Sequence, residues 1–354
     1  MRLDFIRDLY ERSGPYASVY LETSRNTEDA ATVVELRWRQ TRELLEEYGA
    51  PGDVADRMGD LITDPGAAAP GRAVFASADT LFTEPLPMPP RREIARWSPL
   101  PHVTPLLAQR GEQAPHILVL ADHAGSDVIV VARGQRRELV VRADDWPIQK
   151  TGQGGWSQPR YEREVEETWR RNAAATAEVV SKEAAAAEAE VIVVGGDPRS
   201  RHMILERLGP DAAARAVAAA HGSRAPGAMP GAYLHDVESA LSAWLRRRQA
   251  DLVDEHRRGP SVAGLAETAR VLREARAERV LMADDPSSTA TLWIGPEGTH
   301  LSADRDELRE WGVADPVEER ADAAIARAAA VTEAELWFVP SLDVPDRIGA
   351  TLRY

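Results

Sequence analysis

The chain has 354 residues, of which 44% are hydrophobic and 28% charged, and its formal net charge is −14. This composition is typical of a globular protein with two or three domains. The acidic balance excludes a globally basic nucleic-acid binder, and no DNA partner is expected. The absence of cysteine excludes disulfides, thiolate metal sites and iron–sulfur clusters. No run approaches the ~20 apolar residues of a membrane helix, and no signal-peptide core follows Met1, so we expect a cytoplasmic protein without a membrane partner.

The charge is unevenly distributed along the chain. It is −5 over residues 1–112, −1 over 113–258 and −8 over 259–354. Seven of the 24 prolines fall between residues 85 and 105, which predicts an irregular edge leading to a boundary near residue 112. We therefore predict an N-terminal α/β domain, a middle domain and a C-terminal α/β domain with these bounds. The nearly neutral charge of the middle segment is compatible with a local basic face on that domain.

Hydrophobic periodicity and turn residues predict the elements of the first segment. Val34, Trp38, Thr41 and Leu45 recur at helical spacing and predict one buried face on a long helix. The expected elements are a helix over 4–11, a strand over 17–21, helices over 28–48 and 53–62, and a strand over 72–76.

The remaining segments alternate between helical and strand patterns. For the middle segment we predict strands over 116–121, 127–132, 136–141 and 191–194, and helices over 159–189, from about 200, and over 235–257. For the last segment we predict helices over 264–277, 304–311 and 316–331, and strands over 279–283, 291–294, 335–339 and 349–354. This is a three-layer pattern of the α/β class, mixed α+β in detail.

A glycine-rich loop precedes the long helix of the middle segment. Three glycines in four residues lose much backbone entropy when they become ordered, which favours a tip that approaches another molecule closely. Arginines one turn apart follow on the helix, and phosphate groups are their natural partners. The alternative is a solvated hairpin, which the interspersed glutamates support. The residues concerned are Gly152, Gly154, Gly155, Trp156, Ser157, Gln158, Arg160 and Arg163.

Other motifs each leave two interpretations open. Ser157 lacks the glycine spacing of a dinucleotide fingerprint or a nucleophile elbow, so a helix N-cap is the better interpretation. Gly195, Gly196 and Asp197 form either a phosphate-binding turn or, more simply, a tight strand-to-helix turn. The basic cluster Arg246, Arg247 and Arg248 either contacts RNA or is a solvated helix end. The eight histidines are scattered, so we expect neither a metal nor a cofactor.

Three stretches together resemble the archaeo-eukaryotic class-1 release factor and Pelota superfamily, and its bacterial branch in particular, which includes Balon-type ribosome hibernation factors. The run from Gly152 to Arg163 is similar to the G-R-G-G-Q-S loop of release factors and the Arg-aromatic-x-Arg helix that follows it. The run from Arg347 to Tyr354 is similar to the glycine-rich end of the family's C-terminal domain. Residues 17–21 with the helix that follows and residues 72–76 are similar to its N-terminal domain.

Two departures from the family pattern bear on function. In an ungapped alignment the catalytic glutamine of the family falls on Trp156, and Gln158 comes two residues later. A glutamine in this loop orders the water that attacks the peptidyl-tRNA ester, and placement decides the rate of that reaction. The codon-reading N-I-K-S motif is absent, and so is the cysteine of the second codon-reading motif.

The resemblance implies three domains in a release-factor-like arrangement and a protein that enters the ribosomal A site beside a translational GTPase such as elongation factor Tu. We expect the protein to act in ribosome hibernation or rescue under stress. We expect neither codon-specific termination nor catalysis of peptide release. One alternative is an active peptidyl-tRNA hydrolase or tRNA-cleaving rescue factor that uses Gln158. Another is a stress-linked interaction protein that does not bind ribosomes. The expected rRNA or tRNA contacts are Gly152, Gly154, Gly155, Trp156, Ser157, Gln158, Arg160, Arg163, Arg246, Arg247 and Arg248.

Overall fold

The computed structural model describes residues 1–12, 14–25, 29–64, 69–86, 88–111, 114–132, 135–142, 158–225 and 230–354, with main chain alone at 158–165 and 230. Helices and strands alternate along most of this chain, and the strands form four sheets in the part described. The predicted mixed α/β class is therefore confirmed.

The chain forms two compact units. Residues 112–248 form one of them, which we call the middle unit. Residues 1–111 and 249–354 together form the other, which we call the discontinuous unit. The three domains that the sequence predicts, with bounds at residues 112 and 258, stay a prediction. The first and last predicted domains share a unit because their apolar residues form one hydrophobic core.

The N-terminal part of the discontinuous unit is an antiparallel sheet in the order β3-β2-β1-β4. The predicted face of α1 is buried at all four positions and covers one side of this sheet. The elements are a 3₁₀ helix (Asp4–Tyr10), β1 (Tyr16–Glu22), α1 (Ala30–Glu47), α2 (Gly52–Thr63), β2 (Gly71–Ala76), β3 (Leu81–Leu86), β4 (Ile94–Ser98) and α3 (Thr104–Arg110).

The C-terminal part of the same unit supplies the other side of that core. Helix α10 is rich in alanine and buried along nearly its whole length, and it packs in one cluster with Tyr20 and Phe75 of the first sheet. The strands β10-β16-β11-β15 form one sheet and β13-β12-β14 another. The elements are β10 (Ser261–Ala263), α8 (Leu265–Arg273), β11 (Ala277–Ala283), β12 (Thr291–Ile294), β13 (Leu301–Ser302), α9 (Arg305–Glu310), β14 (Val317–Arg320), α10 (Ala321–Thr332), β15 (Glu335–Val339), a 3₁₀ helix (Pro345–Arg347) and β16 (Ile348–Leu352).

The middle unit is a three-layer sandwich around a mixed sheet in the order β7-β6-β5-β8-β9. Helices α4 and α5 cover one face, and α7 covers the other through a second apolar cluster. The elements are β5 (His116–Asp122), β6 (Gly125–Ala132), β7 (Gln135–Val141), α4 (Gln158–Ala186), β8 (Val191–Gly196), α5 (Pro198–Leu205), α6 (Pro210–Ala214), β9 (Ala216–Ala218) and α7 (Pro230–Arg258), which continues past the boundary at residue 248.

Two sequence predictions were wrong. The proline-rich stretch 85–105 is not an irregular edge, because it contains the end of β3, all of β4 and the start of α3. Pro85 is tolerated because β3 is the edge strand of its sheet. The predicted helix over 316–331 begins only at Ala321, because residues 317–320 pair with β12 as strand β14.

Candidate functional site

The glycine-rich segment is attached at one edge of the middle sheet. β7 ends at Val141, which pairs with Ser126 next to the β5–β6 turn, and α4 begins at Gln158. Asn172 of α4 donates a hydrogen bond of 2.8 Å from Nδ2 to the carbonyl oxygen of His123 in the same turn. The segment therefore leaves the sheet at the edge at which β5 and β8 end, and α4 brings the chain back to that edge. The predicted loop residues Gly152, Gly154, Gly155, Trp156 and Ser157 lie outside the described residues.

Helix α4 forms a stalk that leads to this segment. Because Asn172 already contacts the turn at the edge of the sheet, residues 158–168 extend past that edge by about 16 Å at 1.5 Å per residue. Gln158 is the first helical residue, while Arg160 and Arg163 follow within the next two turns. Residues three apart lie on the same face of a helix, so these two arginines share one face of the stalk.

An aromatic pair lies at the base of the stalk. The rings of His123 and Trp169 stack with centroids 4.1 Å apart and planes inclined by 15°. The His123 side chain is 46% exposed, and its Nδ1 lies 3.8 Å from Oδ1 of Asp197. A partly exposed stack of two flat rings is a surface on which an unpaired base can stack. The sequence analysis did not identify this pair.

The turn after β8 is closed by its own carboxylate. Oδ1 of Asp197 accepts hydrogen bonds from the main-chain nitrogens of Arg199 (3.1 Å) and Ser200 (2.9 Å) at the start of α5. Burial alone would raise the pKa of Asp197, but the Ser200 hydrogen bond and the charge of His123 outweigh it and lower that pKa. Gly196 has φ +108°, and a Cβ there would lie 2.0 Å from the carbonyl oxygen of Ala121. These contacts favour the tight-turn interpretation over phosphate binding.

Arg224 ties the loop before α7 to the β5–β6 hairpin. Its Nε and Nη2 donate to both carboxylate oxygens of Asp127 at 2.9 Å, and its Nη1 donates to Asp122 at 2.7 Å. The Arg224 side chain is only 10% exposed. This clamp fixes the turn that carries His123, because Asp122 and Asp127 flank that turn.

Replacing Arg224 with methionine should destabilise the middle unit by about 1–2 kcal/mol, since three charge-assisted hydrogen bonds are lost from partly exposed carboxylates. The measurement is urea unfolding of the full chain followed by Trp fluorescence. Arg199→Met is the matched control, because Arg199 is exposed on α5 and its side chain has no ion pair among the described residues. Equal stability of the two variants would contradict the clamp.

The second predicted basic cluster lies at the opposite end of the middle unit. The hydroxyl of Tyr233, near the start of α7, donates to the carbonyls of Val119 and Val193. Three turns later, Trp244 donates from Nε1 to Glu190, which directly precedes β8. The cluster follows immediately after Trp244, at the edge where β8 begins, so the structure does not bring it near the stalk. Its members are Arg246 and Arg247, which are exposed, and Arg248, which is half-buried.

Within the described ranges, no group of three or more histidine, aspartate or glutamate side chains is arranged to hold a metal ion. None of the helices described in the structure is long and apolar enough to cross a bilayer.

Comparison with known proteins places these features in a family. A family model described as bacterial archaeo-eukaryotic release factor family 2 matches residues 115–260. Uncharacterized protein Rv2629 of Mycobacterium tuberculosis strain H37Rv is 30% identical over 370 aligned positions, which cover 100% of this chain and 97% of that protein. Protein MT2704 of M. tuberculosis strain CDC 1551 gives the same values.

Solved structures with similar chains are more distant in sequence. The archaeal termination factor aRF1 is 13% identical with a TM-score of 0.25, covering 99% of this chain and 96% of that one. Pelota of Archaeoglobus fulgidus is 13% identical with a TM-score of 0.35, covering 80% and 79%. The family assignment rests on the sequence matches. The match to Rv2629 extends along the whole chain, and the family model covers the stretch with the glycine-rich loop and its stalk. This chain therefore belongs to bacterial archaeo-eukaryotic release factor family 2.

Proposed function

We propose that this protein is a ribosome-binding translation factor that occupies the A site in hibernation or rescue and does not terminate translation at stop codons. The observation that carries the proposal is the attachment of the family's glycine-rich segment to a stalk that extends past the sheet. In this proposal the stalk directs the segment toward the peptidyl transferase centre. Elongation factor Tu, or a GTPase like it, would deliver the protein.

The position of Gln158 favours a protein that occupies the A site over one that catalyses hydrolysis of peptidyl-tRNA. Trp156 takes the place of the family's catalytic glutamine, and the main chain of Gln158 is already the first residue of α4. A residue in the first turn of a helix has fixed helical backbone angles and does not belong to the glycine-rich tip. A flat indole in that tip can stack on a base instead of positioning a water.

The test is ribosome binding by the double variant Arg160→Ala, Arg163→Ala. If the stalk contacts rRNA or tRNA phosphates, the variant should bind at least 10-fold more weakly, and its log Kd should depend less steeply on log salt, by roughly 0.7–0.9 per lost contact. Co-sedimentation with purified 70S ribosomes at several salt concentrations measures both quantities. The charge-matched control is Arg258→Ala, Arg309→Ala, which removes two arginines that are 81% and 47% exposed elsewhere. Unchanged binding by the stalk variant would refute this assignment.

The opposite placement of the second cluster gives a separate expectation. If Arg246 and Arg247 also contact RNA, they do so at a site remote from the stalk, and distant sites contribute additively within about 0.5 kcal/mol. The loss of ribosome affinity in the quadruple variant should therefore equal the sum of the losses in Arg160→Ala, Arg163→Ala and in Arg246→Ala, Arg247→Ala. If the variant Arg246→Ala, Arg247→Ala loses no ribosome affinity, that cluster is a solvated helix surface.

A further inference from the structure

A cavity of about 130 Å³ lies inside the discontinuous unit, between its N-terminal and C-terminal sheets. Its walls come from β1, α3, the end of β11, the β14–α10 junction and the start of β16. An engineered cavity of comparable size, ~150 Å³, holds one benzene molecule. The space therefore matches a single six-membered ring.

Three arginines around the cavity pair with three of its aspartates, while Arg92 donates to the carbonyl oxygen of Pro286 and Asp346 accepts from the main-chain nitrogen of Leu265. Four arginines and four aspartates line it, so the formal charge of the wall is balanced. Arg91 contacts Asp284 at 2.8 Å at the rim. At the inner wall, Arg320 contacts Asp322 at 2.7 Å. A charged ligand would have to compete with these pairs, so the wall favours a neutral one.

His102 is one of two buried polar side chains on this wall that lack a partner among the described residues. His102 is 7% exposed, and its Nδ1 has no hydrogen-bond partner among the described residues. The hydroxyl of Thr104, also 7% exposed and on the same wall, is likewise without a partner in the described part of the chain. Buried polar groups without partners are costly, and ligands satisfy them at binding sites.

The main chain holds His102 rigidly. Its N–H donates to Oγ of Ser18 at 3.0 Å, and its carbonyl accepts from the Tyr20 hydroxyl at 2.7 Å. Burial lowers the pKa of His102 to about 4, so the ring is neutral near pH 7 and one of its nitrogens can accept a hydrogen bond. A residue whose main chain is fixed before binding loses little backbone entropy when a ligand arrives.

We propose that this cavity binds a neutral, planar, single-ring small molecule that donates an N–H hydrogen bond to His102. The apolar part of the ring would lie against Ile94, Leu265 and Met282, which also line the cavity. The site is separate from the middle unit, and its ligand does not depend on the ribosomal function proposed above.

The test uses the free protein and three single-ring probes. They are 2-pyridone, which carries a ring N–H, toluene, which carries no polar group, and benzoate, which is an anion. Isothermal titration or ligand-observed NMR should show 2-pyridone binding at least 10-fold tighter than benzoate. His102→Phe keeps a ring but removes both nitrogens, and it should weaken 2-pyridone at least 10-fold while changing toluene binding less than 3-fold. Ala108→Phe narrows the cavity and should abolish binding of both.

A direct measurement keeps the proposal testable if a variant fails to fold. In the wild-type protein, the ¹⁵N resonances of the His102 ring should shift when 2-pyridone is added and stay unchanged with benzoate. No binding of 2-pyridone up to its solubility limit would overturn the proposal. So would equal binding to the wild type and to a folded His102→Phe or Ala108→Phe variant.

Discussion

Ribosomes with a stop codon in the A site are expected to retain their peptide when saturated with this protein. In the ungapped alignment with release factors the catalytic glutamine falls on Trp156, and loss of a group that stabilises the reacting centre typically costs about 10²–10³ in rate. The absence of the codon-reading motifs should also remove any difference between stop and sense codons. The measurement is release of labelled peptide from stalled ribosomes, with binding followed in the same samples.

The variants Trp156→Ala and Gln158→Ala separate the remaining possibilities. Saturable binding that is lost in Trp156→Ala, without release, is the expected result. Release at either codon that disappears in Gln158→Ala would establish the peptidyl-tRNA hydrolase alternative. Release at stop codons only would refute the proposed function, and absence of any binding would favour a protein that does not act on ribosomes.

Replacing Arg327 with methionine should destabilise the discontinuous unit by about 1–3 kcal/mol, because buried carbonyl groups lose a charged hydrogen-bond donor. Arg327 is 5% exposed, and burial lowers its pKa to about 10. Its guanidinium donates to the carbonyls of Gly295 (3.0 Å) and His300 (3.2 Å), which a methionine leaves without that donor. Urea unfolding of the full chain measures the change.

The control for Arg327 is Arg309→Met. Arg309 is 47% exposed in a surface ion pair with Asp306, so its replacement should cost less than about 1 kcal/mol. The large effect should appear in the unfolding of the discontinuous unit and leave the transition of the middle unit in place. A shift of similar size in both variants would show that the buried guanidinium is not important for stability.

The elements that the sequence predicted well are those with a strong period. The spacing of Val34, Trp38, Thr41 and Leu45 predicted the buried face of α1, because every fourth or third position must point to the same side of a helix. The apolar run from residue 191 predicted β8 for the same kind of reason, since a strand buried on both faces needs no polar alternation.

The elements that were missed depend on tertiary partners. Residues 317–320 have a helix-compatible sequence, but pairing with β12 holds them in a strand. Strand β3 was missed because Pro85 and the prolines near it are rare in strands. The edge position of β3 makes the missing N–H of Pro85 tolerable. Neither partner can be identified from residues close in the sequence.

The candidate site was predictable only in its local part. The glycines and the arginines of the stalk stand close together in sequence, so their pattern was visible. The stacking of His123 on Trp169 joins residues 46 positions apart, and the Arg224 clamp reaches Asp127 across 97 positions. Such contacts depend on the register of β5 and β6 and on the path of α7, which the local sequence does not encode.

The shared core of the discontinuous unit has a consequence for the order of folding during synthesis. When residue 111 emerges, α1 and α2 can cover one face of the first sheet. Helix α10, which belongs to the hydrophobic core on the other face and contacts the 3₁₀ helix and α3 there, begins only at Ala321. At translation rates of 5–20 residues per second, the core on that face lacks α10 for about 10–40 seconds. The middle unit contains its own core and can fold within this interval. The nascent chain would therefore depend on chaperones at its N-terminal end, and a pause after residue 111 would prolong that dependence.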